Sequence, residues 1–332
     1  MPGMYDLRYG VLKHQGEWLG KHANPKPASP ALAKVASAFT SNIFQVHGLT
    51  ELPVRAMIQG YEDGWDEAFR EHGPPVIRGS QQAAHRRIET WDRVWDYFNR
   101  IPQIVFPHGI VHFRSMLIDS MRSSLVACWT AFETLATDLW TDALNECPIF
   151  AYNAAKPTKT RKPRGKSRGK PEADDDPAID NDAGKTVTVE QLKLHNFDLR
   201  KRMGTVLRAG RKFNFNRLDG IKGAYSASFG DDANRIFLAK SHLRLTVLEG
   251  LRNVFVHNAG KVDAKFLGRV RDEPAAYGAL AAIPFGEPIP VDGEMVREFC
   301  ELPVSVCVGL LDLADRRIAS NNTGDGSGAN DS

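Results

Sequence analysis

The sequence predicts a mostly α protein. The expected form is an antiparallel helical bundle with a disordered charged insertion and an uncharacterised helical region at its N-terminal side. Three observations carry this. Apolar residues recur at three- and four-residue intervals through two long segments, Phe113 to Glu146 and Ile236 to His257. The stretch between them from Lys156 to Asp182 holds charge, Pro, Gly and Ser with almost nothing to bury. The second segment runs into Asn258 and Gly260, residues that stop helices. The implied organisation is a helical region 1–105 of unknown role, a bundle 108–318 with the insertion at 153–186, and a disordered tail 319–332.

Each element has its own warrant. Residues 1–30 are rich in Gly, Pro and Lys and read as loop. Leu32, Val35, Phe39 and Ile43 then mark a helix. Val54 to Phe69 reads as another, weakened by Gly60 and Gly64. His85 to Arg100 places Ile88, Trp91, Val94, Trp95 and Phe98 on one face, a core stripe in preference to a base-stacking one. Pro102, Pro107 and Gly109 break the chain. The helix from Phe113 to Glu146 follows, with Leu117, Met121, Leu125, Cys128, Phe132 and Leu135 on its buried face.

The insertion opens with Lys156 to Lys170, which carries eight basic residues and no acid, and turns acidic from Glu172 to Asp182. Gln191 to Leu207 regains helical spacing, and Leu218 to Phe229 reads as a short helix or turn. Asp231 or Asp232 is placed to cap the helix that ends at His257. From Gly260 to Pro290 the chain is Gly- and Pro-rich and suggests short extended pieces. Met295 to Ile318 is the last helix, to be kinked or restarted at Pro303, and the tail from Ser320 is polar.

Composition excludes several classes. The net charge of the chain is +3 with a pI of about 8.6, so any nucleic-acid surface must be local. No run is apolar and long enough to cross a bilayer, and Asp6, Arg8, Lys13, His14 and Glu17 interrupt any signal-peptide core. Cys128, Cys147, Cys300 and Cys307 are scattered without a C-x-x-C. That argues against a zinc site and for buried thiols in a reducing cytoplasm. No phosphate loop, nucleophile signature or cofactor motif is visible, so neither metal nor cofactor is expected.

The chemistry concentrates in Leu251-Arg252-Asn253-Val254-Phe255-Val256-His257-Asn258-Ala259-Gly260. Of the 10 His, only His257 lies five residues after an Arg, where about one such pair is expected by chance. The flanks therefore carry the weight. Asn253 is polar, three apolar residues follow it, and the helix stop comes after His257. Arg252 offers a permanent charge for a phosphate, and His257 a proton donor or acceptor near neutral pH. Asn253 lies four residues before His257, on the same helical face, where its amide can orient the imidazole. Arg252 and His257 are about 140° apart around an ideal helix, so one helix makes no tidy site alone.

This motif resembles the signature of the HEPN superfamily: Arg, a polar residue, three mostly apolar positions, His. The likeness extends to the RiboL-PSP-HEPN branch. Asn196 to Phe229 (NFDLRKRMGTVLRAGRKFNFNRLDGIKGAYSASF) is similar to the run before the motif, and the helix holding Phe132-Glu133-Thr134-Leu135 to the first core helix. Gly260 to Phe266 and the helix after Pro290 also fit. Residues of about 108–318 are covered, and the first hundred are not.

The resemblance implies a HEPN-like bundle and a two-fold dimer that brings two motifs into one cleft. It implies a metal-independent endoribonuclease that uses Arg252, His257 and Asn253, in stress response, a toxin–antitoxin pair or anti-phage abortive infection. An antitoxin or regulatory protein is then an expected partner beside RNA. The alternative is a non-catalytic HEPN module that binds RNA, a nucleotide or a partner protein. Glu133 and Asn258 stand where they could orient the catalytic pair, although Glu133 also reads as an edge carboxylate facing water. Arg200, Lys201, Arg202, Arg208, Arg211 and Lys212 flank Phe213 and Phe215. Such a cluster suits single-stranded RNA, or else surrounds two buried rings.

Overall fold

The computed structural model describes residues 25–46, 48–49, 110–155, 189–196, 198–210, 213–271 and 274–324. Among these the fold is helical, with no strand beyond one antiparallel bridge between Lys261 and Pro288. The expected helices at 54–69 and 85–100, the charged run from Lys156 to Asp182, and Arg211 and Lys212 lie outside the described residues.

The first helix, α1, spans 30–46. Leu32, Val35, Phe39 and Ile43 are buried in the same core as the bundle. Its N-terminus is secured from afar, because the Asp315 carboxylate accepts hydrogen bonds from the backbone N–H groups of Ala28 and Ser29 at 2.9 and 2.8 Å.

The central helix is α2, Ile110–Glu146. Its apolar stripe buries Leu125, Trp129, Phe132, Leu139 and Trp140 completely. A helix of this length closes on several partners, and α2 packs against α5, α8 and α11. The Cys147 turn leads into α3, Pro148–Ala155, so helix continues past residue 153, where the insertion was expected to open. An apolar face decides this: Phe150, Ala151 and Ala154 are buried.

The single helix expected over 191–207 is two helices. These are α4, Val189–Leu194, and α5, Met203–Ala209. Asn196 and Lys201 between them take positive φ, which no helix tolerates. The start of α5 sits on α2 through Asn145, whose Oδ1 accepts from the N–H of Gly204 at 2.9 Å. A Cβ at Gly204 would lie 2.1 Å from the Thr141 carbonyl, so this crossing admits only glycine.

Next comes α6, Leu218–Phe229, tied to α2 by buried hydrogen bonds. The Trp140 indole N–H donates to Ser228 Oγ at 2.8 Å, and the Tyr225 hydroxyl donates to the Ala136 carbonyl at 2.9 Å. Asp231 and Asp232 do not cap the motif helix. They begin a separate short helix, α7, Asp231–Ile236, after Gly230 breaks from α6. The motif helix α8 is Ala239–His257, and its N-cap Leu238 offers no side-chain bond.

Beyond the motif the expected extended stretch contains two helices, α9, Ala264–Arg271, and α10, Pro274–Ala281. Asp263 starts α9, its Oδ1 accepting from the Phe266 N–H at 2.6 Å. The last helix, α11, is Gly293–Gly324 and runs through Pro303 without a restart. It also passes Ser320, where the sequence suggested a disordered tail. Buried Val304, Leu310, Leu311 and Ala314 hold it against α2 beyond the proline. No described helix is long and apolar enough to cross a membrane.

Candidate active site at the end of the motif helix

Helix α8 is buried along Leu245, Val247, Leu248, Leu251 and Val254, which leaves Arg252 and Asn253 half-buried and His257 exposed in the last turn. The helix ends firmly. The N–H groups of Asn258 and Gly260 both reach the Val254 carbonyl, at 2.9 and 3.1 Å, while Ala259 and Gly260 take φ values of 51° and 81°. The following residues are strapped down by a short antiparallel exchange. Val262 N–H donates to the Glu287 carbonyl, and Ile289 N–H to the Gly260 carbonyl, each at 2.9 Å.

Gly260 does more than stop the helix. A Cβ there would lie 3.3 Å from Cζ of Arg122, which comes from the early part of α2. The Arg122 guanidinium is therefore wedged between the helix end and the Phe255 ring, 5.8 Å from its centroid. Nothing in the sequence linked Arg122 to the motif. The sequence shows only a basic residue beside Met121 of the apolar stripe, 138 residues before Gly260 by subtraction of their numbers.

Arg252 turns toward α2. Its Nη1 donates to Asn253 Oδ1 at 2.9 Å, and its buried Nε has no hydrogen-bond partner. The expected Asn253–His257 pairing is thus replaced by an Asn253–Arg252 pairing, since the amide and the guanidinium are neighbours on the half-buried side. Asn258 does not orient His257 either. Its Nδ2 donates to Asp263 Oδ2 at 2.9 Å and so braces the start of α9.

Glu133 faces this seam and not open water. Burial raises its pKa from 4.5 to about 6. The Trp129 indole and the Arg252 charge draw it back in part, and Glu249 adds to the rise. Glu133 Oε1 and Trp129 Nε1 are buried with no hydrogen-bond partner at ordinary geometry, like Arg252 Nε. The Trp129 indole and the Glu133 carboxyl nonetheless interact, which leaves Arg252 Nε as the unmet atom of the three, an uncommon state in a protein interior. Glu249 is itself buried, its carboxyl pushed up by desolvation and drawn back by Arg269, whose Nη1 lies 3.4 Å away on α9.

The basic cluster is a different kind of surface. Arg200 pairs with Asp198 at 3.2 Å, Lys201 with Glu146 at 3.5 Å, and Arg208 with Asp138 at 3.2 Å. Phe213 and Phe215 pack on Trp140, with ring centroids 5.8 and 5.3 Å apart, so they are core rings and not platforms for bases. The structure brings Arg252, Asn253 and Glu133 together. His257 is at the helix end, and no hydrogen bond joins it to Arg252. Among the described residues no group of three or more His, Cys, Asp or Glu is arranged to hold a metal ion.

Comparison of the chain with protein-family models, with curated proteins and with solved structures finds no match. Among the described residues the protein is mostly helical, with a polar seam between α2 and the end of α8.

Proposed function

We propose that the chain is a metal-independent endoribonuclease of the HEPN type, acting as a homodimer. One observation carries this reading. Arg252, with a free buried Nε beside a shielded carboxyl, stands five residues before an exposed His257 at a rigid helix end. Arginine suits the phosphoryl oxygens, where charge builds as the reaction proceeds. A surface imidazole suits proton transfer near neutral pH.

In the proposed reaction the ribose 2′-oxygen bonds to its adjacent phosphorus and the phosphorus–5′-oxygen bond breaks. One imidazole takes the 2′-hydroxyl proton, and another protonates the departing 5′-oxygen. The products are a 2′,3′-cyclic phosphate and a 5′-hydroxyl. Because Arg252 and His257 leave the helix in different directions, the cleft is completed by a second motif across a two-fold axis. An antitoxin or regulatory protein that covers this cleft would silence it.

A non-catalytic module is the second reading, favoured by the absence of an Arg252–His257 hydrogen bond within one chain. Incubation with total RNA and tRNA, with and without EDTA, separates the two. The enzyme reading expects cleavage that survives EDTA and leaves cyclic phosphate ends, with 2′-O-methyl RNA and DNA resistant. Binding without cleavage supports the module instead. Light scattering at micromolar concentration should give about twice the chain mass.

A further inference from the structure

Phe285 is the most exposed aromatic side chain among the described residues, at 70%. It stands at the second position of a tight turn, Pro284-Phe285-Gly286-Glu287. The Glu287 N–H donates to the Pro284 carbonyl at 3.2 Å, and Gly286 takes a φ of 84°, as the third position of a type II turn requires. The turn is fastened to the chain that leaves the motif helix. Gly286 N–H donates to the Val262 carbonyl, and Val262 N–H returns to the Glu287 carbonyl, each at 2.9 Å. Lys261 and Pro288 form the antiparallel bridge, and the buried Ile289 anchors the exit. Val262 lies five residues past His257, so the ring and the imidazole belong to one fastened unit.

Single apolar side chains are ordinary on protein surfaces. This ring differs in two respects. A tight turn bonded to a neighbouring segment cannot fold its side chain back onto the core, so the exposure is built into the backbone. The turn is also bonded to the helix end that carries the proposed proton-transfer group.

The surroundings argue about the occupant. The helix end and the turn expose His257, Asn258, Lys261 and Glu287, while Val256, at 49%, is the one other large apolar side chain exposed on these two segments. The core of a protein–protein interface is a contiguous apolar patch depleted of charge. One ring among charged and polar neighbours does not make such a patch. A nucleobase needs only one free ring face, and single-stranded RNA is bound by rings of this kind set among polar and cationic groups.

We infer that Phe285 is a base-stacking residue, receiving the face of a nucleobase that flanks the phosphate held at Arg252. The base as ligand rests on the ribonuclease reading. The fixed, exposed ring does not.

The test uses the full-length protein and two uncleavable ten-nucleotide strands. One is fully 2′-O-methyl RNA containing all four bases, and the other is an abasic spacer strand of equal length and charge. Fluorescence anisotropy should show that the parent protein prefers the strand with bases. Phe285→Leu keeps an apolar side chain and removes the aromatic face. It should weaken the base-bearing strand about fivefold or more and leave the abasic strand unchanged. Phe285→Trp should bind the base-bearing strand at least as tightly as the parent. The slope of log affinity against log salt should be the same in all three proteins, because no phosphate contact is lost. The position is exposed, so melting temperatures should match the parent and exclude misfolding as the cause.

Unchanged binding by Phe285→Leu in a protein that cleaves RNA would overturn the stacking role and leave the nuclease standing. A preference that depends on Phe285 in a protein that never cleaves would keep the stacking role and sink the nuclease. An equal loss with the abasic strand, or a parent that binds neither strand, would overturn the inference. So would a change of mass by light scattering in Phe285→Leu, because the ring would then serve a contact between copies.

Discussion

The basic loop before α5 and the seam between α2 and α8 hold similar residue types and opposite chemistry. Arg200 and Lys201 in the loop, and Arg208 on α5 beside it, each face a carboxylate of the same chain. In the seam, Arg252 Nε is buried without a hydrogen-bond partner, beside the Glu133 carboxyl that leans on the Trp129 indole. Exposed ion pairs contribute little and are screened by salt. An unmet buried group is costly, which is the physical contrast between the two regions. A count of cations along the sequence does not distinguish the two regions.

Substitution of the motif pair should separate the regions most. Under the proposed mechanism, Arg252→Ala and His257→Ala each lower RNA cleavage at least about a hundredfold, with helical circular dichroism retained. Arg208→Ala should lower it less than about threefold, since that guanidinium already serves Asp138. Equal losses at Arg208 and Arg252 would erase the contrast.

Gly260→Ala probes the rigid helix end. The φ of 81° strains any other residue, and the new Cβ would press on Arg122. The expected cost is about 1–2 kcal/mol, read from urea unfolding. A neutral outcome would show that the end of α8 is not held as tightly as its hydrogen bonds imply.

Glu133→Gln sharpens the comparison through pH. Below pH 4.5 the carboxyl is neutral in both folded and unfolded chains, and its neutral form favours the fold. As pH rises through about 6 the buried group ionises and that stability is lost. Partial solvent access reduces the effect. At pH 8 the glutamine variant should therefore be more stable than the parent by about 1 kcal/mol, and by less at pH 4. Cleavage should fall several-fold, because Arg252 loses the charge that faces it. Unchanged stability at both pH values would mean that water reaches Glu133 freely.

The smallest effects belong to the loop. Arg200→Ala and Lys201→Ala should each change stability by less than about 0.5 kcal/mol and oligomer affinity by less than about threefold. A steep loss of salt dependence in either variant would restore the loop as an RNA surface.

Periodicity made much of this fold legible. The stripe from Leu117 to Leu135 placed α2 within a few residues, and the apolar run to Val254 followed by Asn258 and Gly260 placed the end of α8. Local signals also marked the candidate site, because the Arg252–Asn253–His257 spacing is a property of one helix. The aspartates at 231 and 232 looked like caps for α8, yet the chain breaks again at Phe237 and Leu238 before that helix begins. Helix persisted past Pro303 because packing on α2 outweighs local preference. It persisted past Ser320 on exposed residues whose side chains bond back one turn, Ser320 Oγ to the Arg316 carbonyl at 2.6 Å and Asn321 Nδ2 to the Arg317 carbonyl at 2.8 Å.

Sequence by itself determined which segments are amphipathic and which residues stand on the motif, since both are set by spacing along one strand of chain. Tertiary structure alone decided that Glu133 is shielded, that Asn253 serves Arg252, and that Phe213 and Phe215 are core. It alone wedged Arg122 against Gly260. Burial and charge pairing depend on which helix faces which, and that is settled only when distant segments close on a shared core.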